Sequence, residues 1–238
     1  MKTVLITGGS RGIGRAMVKL FSERGYSVAF TYKTSDYEAE VLEKETGAIR
    51  IKADSADEKQ VLETVRTVEE KLGLVDILIN NAAISSFSMF TDLTLEQWNR
   101  TFSVNVNGAF LYTKSVLSGM ISKKSGRIIN ISSMWGITGS SCEVHYSAAK
   151  AAIIGMTKAL AKELGPSGIT VNCIAPGVID TDMNKTLSVE DMRVLEDETP
   201  LMRIGRPEEV AEAAYFLASE KADFITGEVL NVNGGYLI

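Results

Sequence analysis

Tyr146 and Lys150, in the run Tyr146-Ser-Ala-Ala-Lys150, are the residues of this 238-residue chain whose types and spacing speak most directly of chemistry. On a helix, residues four apart share a face, one turn from each other. An ammonium beside a phenol favours the phenolate and lowers a pKa that is normally near ~10. Such a phenol can give and take a proton near neutral pH. The spacing alone occurs in many helices as a solvated pair, so a second motif is needed to give it weight. Thr7-Gly8-Gly9-Ser10-Arg11-Gly12-Ile13-Gly14 follows the apolar run Val4-Leu5-Ile6 and leads into a helical pattern with Met17, Leu20 and Phe21 on one side. Strand, glycine turn and helix is the context in which a dinucleotide is bound. The glycines let the backbone turn tightly and approach a pyrophosphate, which rests on the positive end of the helix. The spacing is Gly-x-x-x-Gly-x-Gly (Gly8, Gly12, Gly14).

These residues need elements to hold them. Unbroken apolar runs recur at Val4–Thr7, Val28–Tyr32, Ile77–Asn80, Ile128–Ser132, Val171–Ala175 and Val229–Val232. Strands buried on both faces of a parallel sheet read this way. Between the runs lie helical stripes: Val61, Leu62, Val65, Val68 and Leu72; Leu95, Trp98 and Phe102; and, after Pro207, Val210, Ala213, Ala214 and Leu217. Strands alternating with helices predict an α/β, doubly wound parallel sheet with helices on both faces and ligands at the carboxyl ends of the strands. A single domain over 1–238 is expected. The stretch 177–205 stands apart, with short polar pieces, a helix expected over Val189–Glu198, and Pro200; its length suggests a substrate lid.

Composition narrows the classes. Hydrophobic content of 45% and charged content of 23% are ordinary globular values, and no apolar run is long enough to span a membrane. The chain opens on a strand-like segment, which leaves no room for a signal peptide and points to a soluble, cytoplasmic protein. A formal net charge of −5 argues against a nucleic-acid surface. Cys142 and Cys173 have no metal-ligand spacing and read as free thiols, Cys142 being the one expected near the chemistry. No metal is expected.

Taken together, these pieces resemble the classical short-chain dehydrogenases/reductases from end to end. The matching residues are the turn from Thr7 to Gly14, Asp54, Asn80-Asn81-Ala82, Asn105, Ser133, Tyr146, Lys150 and Pro176-Gly177, in the family's order. The resemblance implies a Rossmann fold and hydride transfer between a nicotinamide and a carbonyl. It implies that Tyr146 protonates the carbonyl oxygen, that Lys150 lowers the Tyr146 pKa and bonds the nicotinamide ribose, and that Ser133 polarises the oxygen where charge develops. Asn105 would position a water that relays protons to Lys150. Ser132 is the weaker candidate serine, because the family's serine stands thirteen residues before the tyrosine, where Ser133 is.

The same resemblance assigns the cofactor contacts. Gly8, Ser10, Arg11, Gly12, Ile13 and Gly14 form the pyrophosphate turn, Asp54 receives the adenine amino group, and Asn81, Ala82 and Ala83 border ribose and nicotinamide. Ala83 stands where glycine is usual and narrows that space. Pro176, Gly177, Ile179 and Thr181 complete the set with Tyr146 and Lys150. For Asp54 a helix N-cap is a competing reading, with Ser55 and Asp57 as other caps. The second strand ends Thr31-Tyr32-Lys33-Thr34-Ser35, with no acid until Asp36 to take a ribose 2′-hydroxyl. Arg11 and Lys33 instead offer cations for a 2′-phosphate, which favours NADPH and reduction.

The ketone is less sharply marked. Length and the ending Leu230-Asn-Val-Asn-Gly-Gly-Tyr236 are similar to 3-oxoacyl-acyl-carrier-protein reductases. Lys123, Lys124 and Arg127 match one basic region expected to meet an acidic carrier protein, but Ser167 stands where an arginine is expected. A second, local resemblance, over Ile131–Gly136 and Gly139–Tyr146, is to bacterial reductases of the 5-aminopentanone modification on elongation factor P. There Glu143 would line the substrate pocket with Ser133 and Tyr146 and face an amine. His145, the sole histidine, reads as a rim or packing residue. A non-catalytic dinucleotide sensor is a further alternative, opposed by the intact Ser133, Tyr146 and Lys150. Small residues on the helix after Tyr146 (among them Ala148, Ala151, Ala152, Gly155 and Ala159) suit a subunit interface, and the resemblance implies a homotetramer.

Overall fold

The computed structural model describes residues 1–184 and 188–237. In chain order the elements are β1 (Thr3–Ile6), α1 (Gly12–Glu23), β2 (Ser27–Tyr32), α2 (Asp36–Thr46), β3 (Ile49–Lys52), α3 (Glu58–Leu72), β4 (Ile77–Asn80) and α4 (Leu95–Phe102). They continue with α5 (Gly108–Lys123), β5 (Gly126–Ile131), α6 (Trp135–Thr138), α7 (Val144–Leu164), β6 (Ile169–Pro176), α8 (Val189–Glu198), α9 (Pro207–Ala218) and β7 (Val229–Val232). The seven strands form one parallel sheet in the order β3-β2-β1-β4-β5-β6-β7. The winding reverses between β1 and β4, which opens a crevice at their carboxyl ends.

Alternate side chains of the unbroken runs serve two cores. Val4 and Ile6 of β1 face one way, into a cluster with Met17 and Phe21 of α1 and Val210 and Leu217 of α9. Leu5 faces the other way, with Leu78, Val65 of α3, Val116 of α5 and Leu164 of α7. Full burial of each such side chain is worth about 1.5–3 kcal/mol, so the central strands are the most firmly held part of the frame. The seventh strand, β3, is not among the unbroken runs. Its sequence Ile49-Arg-Ile-Lys52 alternates because it is an edge strand that is half-buried at most.

Helix starts follow local chemistry. Asp57, not Asp54, caps α3, accepting from the backbone N–H groups of Lys59 and Gln60, so the N-cap reading of Asp54 is overturned. Between α4 and α5 the helical path widens into a single π turn over Ser103–Asn107, a form often found at functional sites. The expected helix in the 177–205 stretch is present as α8, capped by Ser188. Of that stretch, residues 185–187 lie outside the described residues. Its two ends are tied together: the Asp180 N–H donates to the Gly205 carbonyl at 2.9 Å, and the Gly205 N–H to that of Val178 at 2.9 Å.

Candidate active site

The dinucleotide end is built on close approach. Gly8 and Gly12 adopt φ of +66° and +50°, the left-handed region that favours glycine. A Cβ on Gly14 would lie 2.1 Å from the Gly8 carbonyl oxygen, so the first turn of α1 fits against the glycine turn only without a side chain. That first turn carries no side-chain cap and no acidic residue, which leaves its N–H groups and the positive helix end directed at the crevice. An uncapped helix end of this kind can accept an anion such as a pyrophosphate. Thr181, where 177–205 begins, reaches over Gly12, whose Cβ would meet the Thr181 Cγ2 at 3.1 Å. Gly177 is equally tight, with Asn233 Cα at 2.8 Å from a Cβ placed there.

Asn81, expected to border the ribose and nicotinamide, also has a structural task. Its amide nitrogen donates to the Thr7 and Gly8 carbonyls, each at 3.0 Å, which staples the glycine turn to β4. Thr7, to which the sequence reading gave no role, completes the staple by accepting from the Asn81 and Ala82 N–H groups at 2.9 and 3.0 Å. At the end of β2, Lys33 meets Asp54 at 2.6 Å, and Arg100 of α4 reaches the same carboxylate at 3.1 Å. Burial works against ionisation of Asp54, but Lys33, the Ala56 N–H and Arg100 outweigh it and hold the carboxyl below its usual range. Arg100 has no motif around it and was invisible in the sequence. Arg11 lies 3.9 Å from Asp182.

The proton end lies where β5 and β6 finish. Ser132 donates to the Lys150 carbonyl at 2.8 Å, and the Lys150 ammonium donates to the Ile131 carbonyl at 2.8 Å, so α7 is pinned to β5 from both sides. Beneath them, Asn80, Asn130 and Thr157 form a buried chain of hydrogen bonds across β4, β5 and α7. Ser132 is therefore an anchor. Ser133 accepts from the Trp135 N–H at 3.1 Å and stands close enough to Tyr146 to favour its phenolate. Tyr146 and Lys150 are both buried, with the ammonium 5.6 Å from the centre of the phenol ring.

Here the structure corrects the electrostatics. Burial drives the Tyr146 pKa above its ordinary value, Glu143 adds to the rise, and Ser133 opposes it. Lys150, which faces the Ile131 carbonyl, does not lower it in the protein alone. Its own pKa is pushed down to about 8, chiefly by burial, with a smaller opposing effect from Cys173. Burial wins because both groups lose water, and a charge in low dielectric is costly. The thiol beside the chemistry is thus Cys173, whose pKa burial lifts to about 11. Cys142 sits at the rim with φ of +61°, its sulfur 3.4 Å from that of Met89.

Asn105 stands on the π turn, and its side chain forms a closed pair of hydrogen bonds with the backbone of Ile84, both 2.9 Å. That pair leaves its second N–H and second lone pair available. Asn105 also lines, with Lys150, a cavity of about 10 Å³, which is room for about one water. The Asn80 Oδ1 and the Tyr112 hydroxyl, both buried without a partner among the described residues, belong to residues lining the same cavity.

Glu143 is buried, not directed at water, and accepts from the Ser85 hydroxyl. Burial raises its pKa and the Ser85 hydroxyl opposes the rise, so burial weakens the anionic wall that was expected. His145 is fully buried. Its Nε2 pairs with the Ser86 hydroxyl at 2.9 Å and burial keeps it neutral. With the Ser88 N–H donating to the Cys142 carbonyl at 2.9 Å, these contacts latch the segment after β4 onto the start of α7. The chemistry this crevice can perform is proton transfer to a bound oxygen next to a dinucleotide.

Comparison with known proteins agrees. The family model described as enoyl-(acyl carrier protein) reductase matches residues 8–237. The chain is 44% identical to the acetoacetyl-CoA reductase of Rhizobium meliloti over 236 residues, covering 98% of each. It is 40% identical to the 3-oxoacyl-[acyl-carrier-protein] reductase of Vibrio harveyi, over 98% of this chain and 96% of that one. It is 41% identical to the enzyme of the same name from Aquifex aeolicus, with the same coverage.

Proposed function

Because this chain belongs to the short-chain dehydrogenase/reductase family, we propose that it is an NADPH-dependent reductase turning the ketone of a 3-oxoacyl thioester into a secondary alcohol. The observation that carries the reading is the meeting of Ser133, Tyr146 and Lys150 at the carboxyl ends of β5 and β6, beside an uncapped helix N-terminus framed by glycines. The residues present fit a dinucleotide. The N–H groups of α1 would take the pyrophosphate, Asp54 and Lys33 the adenosine end, and Lys150 the nicotinamide ribose. Bound there, NADPH supplies hydride to the carbonyl carbon.

The protein's own groups handle the oxygen. Ser133 donates to it, and the bond strengthens as negative charge grows. Tyr146, kept protonated by burial, gives up its proton to that oxygen, and the nearby Lys150 cation offsets the phenolate left behind. A water in the cavity shared by Asn105 and Lys150 returns the proton, with Asn105 setting the shape of that space through its hold on Ile84. The described parts of 177–205, rooted by the 178–180 and 205 pairing, fit the expected role of a lid.

Names of relatives favour thioesters over the 5-aminopentanone reading. A carrier-protein patch gains little support: Lys123 is engaged by Asp76 and Arg127 by Asp223, both within the chain. The small side of α7 is exposed at Ala151, Gly155 and Ala159, which supports the homotetramer. No helix among the described residues is long and apolar enough to cross a membrane, in keeping with a cytoplasmic enzyme. The test is oxidation of NADPH by acetoacetyl-CoA and by the same acyl group on carrier protein. Turnover with either supports the reading, and NADPH binding with no turnover on both sinks it.

A further inference from the structure

Two cations share one carboxylate at the end of β2. Asp54 Oδ2 lies 2.6 Å from the Lys33 ammonium and 3.1 Å from the Arg100 guanidinium, and Asp54 Oδ1 accepts from the Ala56 N–H at 3.1 Å. The cluster therefore carries one positive charge in excess. Its members are unequally placed: the Asp54 side chain is 21% exposed, Arg100 40% and Lys33 51%. Lys33 is the outermost, stands immediately after β2, and has a flexible stem. Arg100 comes from α4 and reaches both Asp54 oxygens, at 3.4 and 3.1 Å.

A 2′-phosphate at the end of β2 would compete with Asp54 for the Lys33 ammonium, and the further Lys33 turns to it the less it compensates Asp54. Removing the partner of a partly buried carboxylate costs free energy, because the charge is left without compensation. Arg100 removes that cost, since its guanidinium keeps hold of Asp54 when the ammonium moves away. We infer that Arg100 is a positioning residue for cofactor discrimination, which holds Asp54 so that Lys33 is released to the 2′-phosphate of NADPH. The inference rests on the NADPH reading above. It assigns Arg100 no contact with the cofactor; its action runs through Asp54.

The experiment is equilibrium binding of NADPH and NADH, followed by cofactor fluorescence, so that no turnover is needed. Arg100→Met should weaken NADPH about 5- to 10-fold and leave NADH within about 2-fold, while Arg100→Lys, which keeps a cation near Asp54, should recover most of the loss. A cycle with Asp54→Asn separates action through Asp54 from a general field. If Arg100 acts through Asp54, the Arg100→Met effect on NADPH disappears in the Asp54→Asn background. An undiminished effect there means a direct field of the guanidinium and overturns the inference. A wild-type protein that prefers NADPH, beside an Arg100→Met protein that keeps the full preference, also overturns it and spares the NADPH reading. A wild-type protein that binds both dinucleotides equally overturns the NADPH reading itself.

Discussion

The two ends of the crevice use similar ionisable groups under opposite rules. At the proton end, Tyr146, Lys150, Cys173 and Glu143 are buried, and in each the largest influence on the pKa is loss of water. At the adenosine end, Asp54 also feels burial first, yet two half-exposed cations and a backbone N–H reverse the sign. In the first region burial works against every charge and keeps the phenol protonated until chemistry demands otherwise, whereas the second keeps its groups charged and ready to exchange partners. One site thus holds a reluctant proton donor and a ready anion receptor, separated by the width of the sheet's switch point.

The sharpest way to break this comparison is to remove the donor. Tyr146→Phe should lower kcat by about 10²–10⁴-fold, the range for a general acid, while NADPH binding changes little because the adenosine end is untouched. Equal losses of binding and turnover would mean that the two ends are not separable. Next in size is the alkaline limb. The Lys150 cation is present below its pKa of about 8 and lost above it, so kcat/KM should fall by about tenfold per pH unit once the pH exceeds that value. The sign of the stability effect is opposite. Between about 8 and the unfolded value near ~10.4, the unfolded chain binds more protons at this lysine, so its contribution to stability rises with pH. A Tm that drops in step with activity would therefore show unfolding, not titration of Lys150.

How far these regions were legible in the sequence differs as well. The strands buried on both faces announced themselves as apolar runs, and the glycine turn announced its own geometry. β3 did not stand among those runs because its outer residues, Arg50 and Lys52, reach Glu43 and Asp36 at the sheet edge. The thiols were transposed for a topological reason: Cys142 is close to Tyr146 in the chain, but the register that sets Cys173 opposite Asn130 brings β6 under α7. Asn81 and Asp54 were placed at the site from their motifs, but motif spacing carries no information on which way an amide or carboxylate is satisfied. Nor does it give the partner arriving from α4, since Arg100 belongs to no repeating pattern. The sequence likewise placed a cation beside a phenol without revealing that both are buried, and that omission reversed the expected shift of Tyr146.

The adenosine end should respond to salt where the proton end does not. Lys33→Ala is expected to weaken NADPH about tenfold at low ionic strength, with the difference shrinking as salt screens the half-exposed cation. The rate of the chemical step at saturating cofactor should be flat over the same range, because Tyr146 and Lys150 are buried away from the ions of bulk solvent. Parallel salt dependence at both ends would dissolve the contrast.

The smallest effect tests the contrast from inside the buried end. Glu143→Gln keeps an oxygen to accept from Ser85 and removes the only group whose charge is seen to raise the Tyr146 pKa. Below the raised pKa of Glu143 the wild-type acid is already neutral, so the two proteins should turn over alike. Above it the wild-type carboxylate disfavours the phenolate that remains after proton transfer, and the variant should be faster by about 2- to 5-fold, corresponding to less than about 1 kcal/mol. Ser85→Ala provides the complementary change. Its hydroxyl stabilises the ionised Glu143, so its loss should move the step in kcat/KM to higher pH without abolishing it. A Glu143→Gln profile that overlays the wild type at every pH would show that Glu143 does not communicate with Tyr146, and that the latch of the segment after β4 is its only role.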